Sequence, residues 1–101
     1  MKTKIWLWVN PDIKGKPVEK IREAYSKLVV GDIVKVWVFY REPLKDAGSE
    51  SFWTKVIKVT KDKILAQVYN ELFFTKQHGY KLFDKIEYKL ENILDIEIPQ
   101  E

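Results

Sequence analysis

His78 is the only histidine in the chain, and it stands beside Gly79 in a turn-like stretch, away from any regular face carrying carboxylates at ligand spacing. A general base needs a nucleophile to activate or a partner that orients it. Neither is recognisable nearby, so His78 is expected to be an ordinary surface residue. The acids Asp84, Glu87, Glu91, Asp95 and Glu97 are dispersed, and there is no His-x-x-x-His pair and no calcium loop. No metal site is therefore expected. The four glycines never cluster into a phosphate-cradling loop, and the absence of cysteine removes thiol nucleophiles, disulfides and thiolate metal sites. The residues point to no catalytic group, no cofactor and no enzyme.

Binding chemistry is better represented. Aromatic residues make up 14% of the chain, and Lys55, Lys58, Lys61 and Lys63 follow Trp53 closely. Small barrels bind single strands with such a combination, bases stacking on rings and phosphates meeting cations. These four lysines with Trp53 are the candidate nucleic-acid site. Residues 51–81 hold six lysines against Asp62 and Glu71, a local balance of +4, whereas residues 82–101 hold two lysines against six acids, a balance of −4. If the two segments lie side by side, one field offsets the other. Arg22 and Arg41 are the only arginines, so bidentate base readout has little to work with. Protein capture is the leading class, and the lysine-rich nucleic-acid site is its alternative. Trp6, Trp8, Trp37 and Phe39 fall on the less regular faces of their segments, and Trp37, Phe39 and Trp53 are the candidate anchors for an unidentified protein partner.

The elements that must position these side chains are mostly strands. Residues 4–9 alternate, with Ile5, Leu7 and Val9 on one face and Trp6 and Trp8 on the other. From Pro17 to Leu28 the period changes: Val18, Ile21, Ala24, Tyr25 and Leu28 describe one amphipathic helix. After Gly31-Asp32 the pattern is extended. Val34, Val36, Val38 and Tyr40 form one face of a strand, and Ile33, Lys35, Trp37, Phe39 and Arg41 the other, so the strand is apolar on much of both faces and is expected to be central or covered by the helix. Glu42 to Glu50 reads as a loop. Phe52 to Thr60 and Ile64 to Asn70 read as a hairpin turning at Lys61-Asp62-Lys63. The pattern loosens from Glu71 to Leu82, Lys85 to Leu90 alternates again, and Leu94, Ile96 and Ile98 give a last short strand ended by Pro99.

Such strand spacing predicts a mainly β domain of the α+β type: a small SH3-like or Tudor-like β-barrel over residues 31–98, preceded by a strand and helix in residues 1–30. With 101 residues and a net charge of +3, the chain fits one domain. No apolar run approaches the roughly 20 residues that span a membrane, and the N-terminal apolar stretch is too short for a secretory core, so a soluble, cytoplasmic protein is expected.

Residues 31–96 carry a family pattern. Gly31-Asp32-Ile33-Val34-Lys35-Val36, Glu50-Ser51-Phe52-Trp53-Thr54-Lys55-Val56, Val68-Tyr69-Asn70-Glu71, Phe83-Asp84-Lys85-Ile86 and Leu90-Glu91-Asn92-Ile93 followed by Asp95 resemble, in order and spacing, the YegJ-like bacterial domain of unknown function. The resemblance implies a compact set of strands and an accessory or immunity-type role, and it names no ligand. Phe83-Asp84 stands where Gly-Asp is more usual. Both aspartates precede a strand, where each is expected to bond a nearby backbone amide and end the preceding segment.

Overall fold

The computed structural model describes residues 2–97, with nothing assigned to the side chains of Val18 and Ala24. Ile98 and Pro99, expected to end the last strand, lie outside the described residues. The elements are β1 (Lys4–Leu7), α1 (Val18–Ala24), β2 (Ile33–Arg41), β3 (Ala47–Val59), β4 (Lys63–Val68), α2 (Thr75–His78), β5 (Lys85–Lys89), a 3₁₀ turn (Leu90–Asn92) and β6 (Asp95–Glu97). Strands β1 to β5 form an antiparallel meander in sequence order. β6 returns to pair with residues 33–35 of β2, on the same edge where β1 pairs with residues 38–41. The result is a curled antiparallel half-barrel, mostly β. Among the described residues no helix is long and apolar enough to cross a membrane.

Period-two patterning builds the inner face. Val34, Val36 and Val38 of β2, Phe52 and Val56 of β3, Ile64, Ala66 and Val68 of β4, and Ile86 and Tyr88 of β5 are all buried. Ile21 from α1, with Leu90 and Ile93, closes this core, and Tyr25 and Leu28 pack against it from beyond the helix. The helix is shorter than the periodicity over 17–28 suggests. Its docking is fixed by Arg22, which donates from Nε to the carbonyl of Lys61 and from Nη2 to that of Thr60 at 2.7 Å. It lies on the inner side of the sheet, so of the two placements expected for β2 the central one holds, with β3 on one edge and β1 and β6 on the other, and the helix does not cover its outer face.

β3 begins earlier than expected. Residues 47–51, rich in loop-forming types, pair with Trp37–Arg41. Gly48 is needed there because the Tyr40 ring lies where a Cβ would sit, an aromatic covering a strand glycine.

Two turns of one design start β2 and β5. In Val29–Asp32 the Asp32 amide donates to the Val29 carbonyl, and the Asp32 carboxylate accepts from the Val29 amide at 2.9 Å. In Lys81–Asp84 the same pair of bonds recurs, with the Asp84 carboxylate 3.1 Å from the Lys81 amide. The third residue of each turn has positive φ, Gly31 at 98° and Phe83 at 72°. Each then forms a bulge: Gly31 and Asp32 together oppose Val56, and Phe83 and Asp84 together oppose Val68. The aspartates do what their position before a strand implies.

Candidate functional site

The outer face of the sheet gathers the aromatic residues. Register places Trp6 opposite Phe39, Trp37 opposite Ser51 and Trp53 opposite Lys35, all on the face away from the core. Trp8 continues the pairing through its amide, which donates to the Trp37 carbonyl at 2.8 Å. The rings form one row. Trp8 and Trp37 have centroids 6.4 Å apart, Trp37 and Phe39 4.6 Å, and Phe39 and Trp6 5.9 Å with planes 11° from parallel. Trp6 remains 45% exposed, and the other three are half-buried.

Cations sit on the adjoining rings. Lys35 Nζ lies 5.4 Å from the Trp53 centroid, and Lys55 Nζ lies 5.7 Å from that of Tyr69. Lys58 follows on the same face, opposite Leu65, after a bulge at Ile57 that restores its outward direction. Lys63 shares the face but pairs with Glu87 at 3.3 Å, and Lys61 lies in the hairpin turn. The structure thus brings Trp37, Phe39, Trp53, Lys55, Lys58 and Lys63 onto one surface and leaves Lys61 at its margin.

Among the described sheet residues this face holds eight cations (Lys4, Lys35, Arg41, Lys55, Lys58, Lys63, Lys85 and Lys89) against three carboxylates (Glu87, Asp95 and Glu97), a net of +5. The offset expected from the acidic C-terminal segment is therefore local. Asp95 stands opposite Lys35 and Glu97 opposite Ile33, at one end of β2. Residues that sequence reasoning missed are Lys35 and Tyr69. Lys35 lies 18 residues before Trp53 in the sequence, and only the β2–β3 register sets it over that ring.

His78 departs most from its sequence reading. It is 2% exposed, with Tyr40, Phe52 and Tyr80 ringed around it at centroid distances near 6 Å, from 5.8 to 6.3 Å. Its Nδ1 accepts from the Tyr80 amide at 3.0 Å, which assigns the ring proton to Nε2, and Nε2 donates to Glu50 Oε1 at 2.8 Å. Glu50 also accepts from the amides of Phe73 at 2.7 Å and Phe74 at 3.0 Å. Burial pushes the Glu50 carboxyl up, but the bonds from His78, Phe73 and Phe74 together outweigh it and hold the group below its ordinary value. Both ring nitrogens are engaged, so this pair ties the loop before β5 to the sheet and leaves no lone pair for base catalysis. The isolated Glu and His, 28 residues apart, gave no spacing signal.

A second polar relay crosses the core. Thr54 Oγ1 donates to the Val34 carbonyl at 2.9 Å and lies 2.8 Å from the Tyr88 hydroxyl, which must then be the donor to it. Burial pushes the Tyr88 phenol up to about 12 despite that bond.

Comparisons of the chain with protein-family models, with curated proteins and with solved structures find no match. The site therefore rests on its own geometry: an aromatic row, exposed at Trp6 and half-buried elsewhere, with lysines seated on the neighbouring rings.

Proposed function

We propose that the chain is a binding module rather than an enzyme, and that the outer face of its sheet takes single-stranded nucleic acid. The observation that carries this reading is the pairing of cations with aromatic faces, Lys35 on Trp53 and Lys55 on Tyr69, within a surface of net +5. Bases stack on exposed rings whatever their identity, while lysines neutralise phosphates without reading sequence. Arg41 is the one arginine on that face, which favours sequence-tolerant binding over bidentate base readout. In this reading Trp6, Trp37, Phe39 and Trp53 form the platform, and Lys35, Lys55 and Lys58 meet the backbone. We also read the meander β2–β5, the 3₁₀ turn and the return of β6 to β2 as an SH3-like barrel with β1 added at the free half of the β2 edge.

Protein capture by Trp37, Phe39 and Trp53 is the second reading, and the apolar continuity of the Trp8–Trp37–Phe39–Trp6 row favours it. Tryptophan fluorescence, titrated with mixed-sequence single strands and duplexes at low and high salt, separates the two. Saturable quenching by single strands that weakens with salt, and that the Lys55→Glu, Lys58→Glu double variant abolishes, supports nucleic acid. No quenching at either salt rejects it and leaves the protein reading, which Trp37→Ala would impair and the charge reversal would spare.

A further inference from the structure

We propose that the open seam between β1 and β5 is a docking site for an extended peptide of alternating apolar and acidic residues, which adds a strand and closes the barrel. The first support is directional. Five strands alternate strictly in direction, so β1 and β5 run the same way and cannot pair with each other as the rest of the sheet does. One strand running antiparallel to both completes the pattern.

Backbone bonding sets the second support. The bond from the Trp8 amide to the Trp37 carbonyl fixes the phase of β1, so Lys4 and Trp6 face β2 and the amides and carbonyls of Ile5 and Leu7 face away. Across the seam, the bond from the Val68 amide to the Asp84 carbonyl turns Ile86 and Tyr88 toward β4 and leaves Lys85 and Glu87 facing outward. The two phases agree. Ile5 and Leu7 direct side chains inward, whereas Lys85 and Glu87 direct theirs outward. A single strand bonds one neighbour through its inward residues and the other through its outward residues, so the same segment satisfies both edges.

Asn92 sets the width. Its Oδ1 accepts from the Lys89 amide at 2.8 Å, and its Nδ2 donates to the Trp8 carbonyl at 2.9 Å. One side-chain carboxamide thus does, at the closed end, what one peptide unit of an inserted strand would do. Beyond it lies an open cleft of about 390 Å³, lined among others by Leu7, Glu87, Tyr88 and Lys89.

Side chains give the peptide its chemistry. Inward positions meet Ile5, which is 44% exposed, together with Leu7 and Tyr88 of the cleft, and so require apolar residues. Outward positions meet Lys85 and Lys89, which have no carboxylate partner among the described residues, while Glu87 is held by Lys63. Acidic residues fit there. This inference does not rest on the outer-face reading, and its test uses no nucleic acid.

The test is amide exchange by NMR on the labelled full chain, with a short capped peptide alternating valine and glutamate and its valine–lysine counterpart. The expected result is slowing of the Ile5, Leu7, Lys85 and Glu87 amides by at least about tenfold with the glutamate peptide. Ile5→Pro removes an outward donor without touching the bonds to β2 and should weaken binding about tenfold. Lys85→Glu with Lys89→Glu should transfer the preference to the lysine peptide. The proposal is overturned by unchanged exchange at all four amides, by equal response to both peptides, or by protection that appears without peptide as concentration rises, which would assign the edge to a second copy.

Discussion

Phe83 occupies, in the turn before β5, the left-handed backbone position that Gly31 occupies in the turn before β2. The bonding around them is the same, but Phe83 carries a Cβ where glycine is strain-free, and its ring is 64% exposed. Phe83→Gly is therefore expected to raise stability by about 1 kcal/mol, since relief of the left-handed strain outweighs the small loss of burial and the added freedom of the unfolded chain. Gly31→Ala should lower stability by a similar amount. Thermal melts of the two variants check both signs.

Glu50 offers a pH test. Its carboxyl is held below the ordinary value of 4.5, so its stabilising contribution is complete above that value and is lost as pH falls through the lower folded value. Denaturation below about pH 4.5 should steepen in the native chain and flatten in Glu50→Gln. Glu50→Ala, which strands three donors, should cost about 3 kcal/mol at neutral pH and speed amide exchange at Phe73 and Phe74.

Thr54→Val keeps the shape of a buried side chain but removes the acceptor of the Tyr88 hydroxyl. The unpaired phenol should cost about 2 kcal/mol in urea unfolding. Tyr88→Phe on that background should recover most of the loss, because both polar partners are then gone.

Gly48→Ala drives a Cβ into the Tyr40 ring. Displacing that ring from a packed position next to His78 should cost about 2 kcal/mol, and near-ultraviolet circular dichroism should register the change in the aromatic environment.

Alternation made the sheet readable. The face of β2 carrying Val34, Val36, Val38 and Tyr40 is the buried one, and the opposite placement of Phe52 and Trp53 holds, because a period of two is imposed by the backbone itself. Residues 47–51 were not readable as strand, since glycine and serine there serve cross-strand fit, which local propensity does not encode. His78 was misread because its partner is supplied by a strand far away in sequence. The lysines were visible as a cluster, yet which of them meets a ring depended on register: Lys55 reaches Tyr69, Lys63 is drawn to Glu87, and Lys61 gives its carbonyl to Arg22.

The Asn92 bridge also bears on how the chain acquires its shape. Asn92 and Trp8 are 84 residues apart, and the Asn10 amide likewise bonds the Glu91 carbonyl. During synthesis the meander can assemble as each hairpin emerges, but the tie between its two rims forms only once residue 92 has left the ribosome. Closure over so long a loop is expected to make the final folding step slow, on the order of milliseconds to seconds as in other β proteins, which stopped-flow refolding checks. Substitutions at Asn92 should accordingly appear first as lower yield from cells, ahead of any change in the mature fold.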